Sequence, residues 1–450
     1  MTKSKPKILK RLAKVVLATL LFTGEAQLAI GPSVVEAGQV TNVDDARVTA
    51  DNAENSIVYG NNTGNIKEEK DDAVSLDGNT ISINITKTLH RVYGGYSSVI
   101  SAYTVSGNTV NIEKGMIQHD SGDVVVGGYS TNGGKITGNT VNVSGGSITG
   151  RVVGGCSMYG NVTGNAVNIS GETTTINGDI CGGDRAVGNQ GSDVGSTTDN
   201  KVVISGGNVT GDVYGGTSSY HGGDITKNKV YIEGGTITGT VTGGKTLGQG
   251  NVTINEVHVT GGNVTKDVQG GLSSSNSDNK VDGNSVSISK DATVGGSVYG
   301  GKVDYNQKGN ITNNTVTMSG GTVGGLYGGY SRQTHGTGTV SDNTVEMKGG
   351  KLSGYGYIVG GYSTENYTTE EPTKVDVKNN VVKITGDVDF KTSVVGGWAQ
   401  GRGLVQNNRV EFSANNVDHY GEGEFSVGVT GGQSGSGGAT DNKVIFIKVR

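Results

Sequence analysis

The pair Gly-Gly returns along this chain at a near-constant interval, and that interval limits what the chain can fold into. The first glycines are Gly94, Gly127, Gly154, Gly182, Gly215, Gly243, Gly270, Gly300, Gly328, Gly360, Gly396 and Gly431, twelve copies with a mean spacing near 31 residues. A fixed period of about 20–50 residues marks a solenoid or a related array. No single repeat of that kind can bury its own apolar face, so neighbours must stack to do it. Two residues before every doublet stands a branched aliphatic, from Val92 and Val125 through Ile180 and Leu326 to Val394 and Val429. The residue between is mixed, with Tyr93, Val126, Cys181, Thr242 and Gln269 among its occupants. One position faces a core while its neighbour is free, as in a half-buried strand.

A second marker, Asn-x-φ-x-φ with φ apolar, begins at thirteen asparagines from Asn79 and Asn108 to Asn408 and Asn442. Its period of two is that of a strand with one apolar face. An SGG or EGG turn often follows, then a short strand centred on residues such as Ile148, Val209, Ile237 or Val264. A fourth apolar row lies three residues before each Asn, as at Val105, Ile136, Val162, Ile225 and Val252. The expected fold class is therefore all-β, a parallel β-helix or β-solenoid of about 12–13 rungs with ~30-residue repeats. At ~4.8 Å per rung it makes a rod of roughly 60 Å. The Asn column is expected to turn a corner through left-handed backbone and to form an amide ladder. The doublets are expected to supply positive φ or a close approach.

Composition agrees with a thin, repetitive core. Glycine numbers 81, proline 3, and only 5% of residues are aromatic. Residues 1–37 read as a secretory signal: a basic stretch, MTKSKPKILKRLAK, the apolar VVLATLLF, and small residues Val35 and Ala37 before the cleavage point. Residues 38–78 read as a polar N-terminal cap or degenerate first rung, and 79–450 as the solenoid. The whole chain carries a formal charge of −5. Without the signal, 36 − 6 = 30 basic and 41 − 2 = 39 acidic residues remain, or −9. That balance argues against nucleic acid as a partner, since phosphate backbones require basic patches.

Chemistry is sparse. The two cysteines, Cys156 and Cys181, are too few for a disulfide scaffold and occupy different repeat positions. The six histidines are scattered without ligand spacing, so no metal and no cofactor is expected. Asp179 and Asp184 are noted, but no carboxylate constellation is read across successive rungs, and no catalytic residue is assigned. The aromatic residues are more suggestive. Two residues after the first doublet glycine stand Tyr96 and Tyr129, then Tyr330, Tyr362 and Trp398. Exposed, such a column can stack on sugar rings or a partner protein; packed, it stiffens the rod. Uninterrupted strand parity points these residues inward, which favours stiffening. Variable segments after Gly182 and Gly360, and the insertion NNVDHYGEGEFSVG at 415–428, are further candidate contact sites.

Repeats such as NTVNVSGGSITGRVVGG at 139–155 and NTVTMSGGTVGGLYGGYS at 314–331, behind a long signal peptide, resemble the passenger regions of autotransporter-type adhesins of Gram-negative bacteria. The resemblance covers roughly residues 79–446. It implies export to the cell surface, outer membrane or medium. It also implies a solenoid passenger and a non-catalytic role in adhesion, aggregation or biofilm. Surface glycans or proteins of host or bacterium are the implied partners. Such proteins end in a translocating β-barrel, which this chain is expected to lack, and an open C-terminal rung invites self-association. The competing expectation is an extracellular lyase or hydrolase that cleaves acidic polysaccharide on a β-helix scaffold.

Overall fold

The structure is a computed structural model. It describes residues 40–42, 47–48, 56–60, 76–98 and 103–447, apart from 132, 187–194, 220–222, 276, 305–308, 333–336, 354–355, 365–373, 387, 390–391 and 414–427. Residues 1–37, where a signal is expected, and most of 38–78 lie outside the described residues, as do the cores of the three variable segments. Every element described is a β-strand, and the strands pair in parallel into one 30-stranded and one 12-stranded sheet. The fold is a parallel β-solenoid.

Among the described residues the repeats stack their strands into four ladders. Val92, Val125, Val152, Ile180, Val213, Val241, Val268, Val298, Leu326, Ile358, Val394 and Val429 pair in one unbroken series. The strand Ser56–Tyr59 continues it on the N-terminal side, with Val58 opposite Val92. The Asn-led strands pair likewise, Val202 with Val230 and Val230 with Val257. So do the short strands, Ile176 with Val209 and Val209 with Ile237. The 12-stranded sheet carries the fourth row. There the structure fills a gap in the sequence pattern: Thr197 occupies the apolar position and is fully buried. Its hydroxyl donates to the Thr217 carbonyl at 3.0 Å, which removes the cost of burying it.

Aliphatic side chains from three of the ladders merge into one continuous core along the axis. Thin as it is, such a core removes ~1.5–3 kcal/mol worth of side chain from water at each full-sized position. The glycine doublets keep it thin. A Cβ placed on Gly243 would sit 2.5 Å from the carbonyl oxygen of Gly270, on the next rung. One on Gly244 would sit 2.6 Å from the Asn255 side chain. The doublets thus serve close approach, and none of their residues has positive φ.

The asparagines lie inside, most of them fully buried. Asn228 is representative. Its Nδ2 donates to Asn255 Oδ1 at 3.0 Å and to the Thr197 carbonyl at 3.0 Å, and its backbone N–H donates to the same Oδ1. The same link runs from Asn79 to Asn442 without interruption. The amide ladder is as expected, but the corner is turned by another residue. Left-handed backbone falls on the residue before each Asn: Gly78, Gly107, Gly138, Gly164, Asp199, Lys227, Ile254, Gly283, Asn313, Asp342, Asn379, Asn407 and Asp441.

Two predictions follow from these columns. Replacing Asn228 by Leu strips the acceptor from Asn200 and leaves the Thr197 carbonyl bare, so unfolding should become easier by about 3 kcal/mol. Denaturant titration of the variant against the parent measures this. Ile254 holds φ 57° with a β-branched side chain that is 49% exposed. Ile254→Asn should therefore stabilise the chain by about 1 kcal/mol, read as a raised melting temperature.

Candidate recognition face along the glycine doublets

Parity changes at each doublet, and the change decides where the aromatic column points. Val92 is buried in the core and Tyr93 lies on the opposite side of the strand. Pairing then skips Gly94: Tyr93 opposes Val126, and the next partners are Gly95 and Gly128. A Cβ on Gly95 would point at Asn108 Nδ2, 2.7 Å away, so Gly95 faces inward. Tyr96 accordingly faces outward and Ser97 inward, with no exposure. The inward orientation expected from simple alternation is overturned, because the doublet bends the strand and resets its phase. Tyr96, Tyr129, Tyr330, Tyr362 and Trp398 are half-buried on the outer face, packed against clusters separate from the main core.

The five do not form one ladder. Tyr96 and Tyr129 stack at 5.4 Å with planes 3° apart. They are joined by Tyr93, from the position before the doublet, and by Tyr59, its partner on the preceding rung. Further along, Tyr330 and Tyr362 lie 5.2 Å apart, and Trp398 meets Tyr362 edge-on at 5.0 Å. Tyr299, Tyr327 and Tyr357 complete this second stretch. Much of each ring is spent on its neighbours, so the stretches brace the face as well as present it. Burial pushes the phenols of Tyr96, Tyr129 and Tyr330 up, and that of Tyr327 to about 12.

Between the stretches the same column reads Cys156, Asp184, Thr217, Lys245, Leu272 and Lys302. Here the structure assembles a group that sequence reasoning missed. Arg151 bonds Asp123 at 2.9 Å and Asp184 at 2.8 Å, tying three successive rungs. Thr217 donates to the other Asp184 oxygen. Aligning DVVVGG, RVVGG and ICGGDR on their glycines contains the signal, since it brings Asp123, Arg151 and Asp184 onto neighbouring rungs. Burial raises the Asp123 carboxyl above its ordinary value against the pull of Arg151, while Asp184 and Asp123 hold the guanidinium firmly charged. Both cysteines are free and fully buried beside this group. Burial pushes their thiols up, Cys181 to about 12, which leaves them unreactive as nucleophiles.

Beyond the triad, Lys245 lies 4.8 Å over the Tyr214 ring and Lys302 lies 4.9 Å over the Tyr299 ring. Lys302 also approaches Asp304 at 3.4 Å and Asp267 at 3.8 Å. Among the described residues no group of three or more His, Cys, Asp or Glu is placed to hold a metal ion. Nor, among those residues, is any helix long and apolar enough to cross a membrane. Comparison of the chain with family models, with curated proteins and with solved structures returns no match.

The triad makes a pH prediction. Asp123 has its folded pKa raised, so its contribution to stability is complete below the unfolded pKa and is lost as pH rises through the folded one. Arg151→Met removes the charge that opposes this shift and leaves two buried carboxylates facing each other. The variant should melt well below the parent at pH 7 and recover part of the difference at pH 4. Melting curves at the two pH values check this.

Proposed function

We propose that this chain is an exported, non-catalytic surface solenoid whose doublet face makes adhesive contacts with glycans or proteins of neighbouring surfaces. The observation that carries the reading is the pair of aromatic stretches turned outward on one face of the scaffold. Half-buried aromatics give large, rigid contact area at low entropic cost, which is why they anchor interfaces. The basic, then apolar, N-terminal segment and the likeness of the repeats to autotransporter passengers support export. A translocating β-barrel is the partner that export by this route requires.

Cleavage of acidic polysaccharide is the second reading, and the Asp123–Arg151–Asp184 group is the feature that favours it. Against it, the Asp184 side chain is only 5% exposed and both carboxylates are held by the same guanidinium. A general acid or base must instead reach substrate.

One experiment separates the two. Cells producing the chain are compared with cells producing Tyr362→Ala with Trp398→Ala, for surface display by antibody and for adhesion. The proposal expects display of both and adhesion reduced about tenfold or more in the variant, as for loss of an interface anchor. Equal adhesion by the two, or new chain ends in acidic polysaccharide that disappear with Asp184→Asn, would overturn it.

A further inference from the structure

The doublet face holds a feature that bracing does not explain. Thr242 and Gln269 occupy adjacent rungs at the position just before the glycines, paired directly opposite each other. Elsewhere in this column stand Tyr93, Val126, Val153, Cys181, Tyr214, Tyr299, Tyr327, Val359 and Val395, which pack by apolar contact, and Thr430, whose hydroxyl is likewise unpartnered. Thr242 is fully buried and Gln269 is 3% exposed. Neither Thr242 Oγ1 nor Gln269 Oε1 has a hydrogen-bond partner in the structure. Buried polar atoms are nearly always paired, and an unpaired one lowers stability. Val or Leu at both positions would serve the scaffold better. Among the described residues six other buried side-chain atoms lack a partner, but only Thr242 and Gln269 stand opposite each other on adjacent rungs of this column, where one ligand would satisfy both.

Their surroundings indicate the kind of ligand. Tyr214 on one side and Tyr299 on the other lie three strand spacings apart, about 14 Å. Lys245 and Lys302 each cover one of these rings from the next column. Lys302 is neutralised by Asp267 and Asp304, whereas among the described residues Lys245 has no carboxylate within ion-pair distance and its Nζ donates to the Tyr214 hydroxyl, 3.1 Å away. Ammonium and hydroxyl donors stand beside carboxylate and amide acceptors, with an aromatic ring at each end. That mixture suits a ligand rich in hydroxyls and without net charge. An extended β-1,4-linked pyranose chain advances by close to one strand spacing per sugar, so a few sugars laid along the axis would keep register with successive rungs.

The geometry points to a subsite for a linear, neutral, β-1,4-linked oligosaccharide on the rungs from Tyr214 to Tyr299, with Thr242 and Gln269 as its hydrogen-bonding floor. Lys245, seated on the Tyr214 ring beside this floor, would donate to the chain. Tyr214 and Tyr299 bound the site at its two ends. This inference rests on the adhesive reading of the doublet face and narrows it to one ligand class at one place.

The test uses the secreted chain and two probes, cellohexaose and chitohexaose, titrated by calorimetry. The double variant Thr242→Val with Gln269→Leu removes two unpartnered buried groups, so a purely structural role predicts an equal or higher melting temperature and no change in binding. The subsite predicts saturable binding of at least one hexasaccharide by the parent, weakened tenfold or more in the double variant while its melting temperature holds or rises. Lys245→Met, at a partly exposed position, should weaken binding as well and keeps the test open if the double variant does not fold. Absence of binding by the parent, or parental affinity in the variants, overturns the inference. If adhesion still depends on Tyr362 and Trp398 in that case, only the subsite falls and the surface role stands. If adhesion is also indifferent to them, both fall.

Discussion

Everything in this molecule depends on the contact between one rung and the next. A rung contains only a few short strands and a handful of core aliphatics, too little to repay the conformational entropy of ordering about thirty residues. What it does have is a full set of backbone donors and acceptors directed along the axis, and a buried Asn whose amide faces the same way. Stacking satisfies all of them at once and simultaneously closes the apolar ladders. The small size of glycine at the doublets is the condition for this, because the carbonyl of the following rung sits where a side chain would have to go. Spacing between rungs is thus set by hydrogen bonds, and the interior is filled to match with Val and Ile in preference to larger residues.

With the interior so uniform, differences between rungs are confined to the outer columns. The doublet face shows this best. Its inward residues scarcely change from Val92 to Val429, while its outward ones pass from tyrosines to an ion-paired triad, to lysine-capped rings, and back to tyrosine and tryptophan. A scaffold of this kind separates stability from recognition: the first is carried by repetition and the second by departures from it. Thr242 and Gln269 are departures that the packing itself gives no reason for.

Those parts of the structure that follow from periodicity were legible in the sequence. Twelve doublets, the aliphatic two residues ahead of each and the Asn-led alternation give the ladders directly. What escaped depends on local geometry or on pairing between rungs of unequal length. Alternation places Tyr96 inward, because nothing in the letters shows that pairing skips Gly94. The left-handed corner was assigned to Asn, the usual occupant of such backbone, whereas the structure gives it to a preceding residue that ranges from Gly107 to Ile254. Arg151 meets Asp123 28 residues earlier and Asp184 33 residues later, so no fixed offset reveals the triad. The unpartnered state of Gln269 has no sequence signal, since it is defined by what its neighbours fail to offer.

The amide ladder also has a direction. From Asn108 to Asn408 each Asn donates toward the following rung, through both its side-chain nitrogen and its backbone N–H, and accepts from the preceding one. A rung that has just docked therefore meets the needs of its predecessor and exposes the same two donors itself. Growth of the stack is vectorial: each addition finishes the last and creates an identical template for the next, in the manner of a ratchet whose teeth all lean one way. A chain that emerges from a narrow opening in sequence order could fold by that rule without ever needing its distant parts.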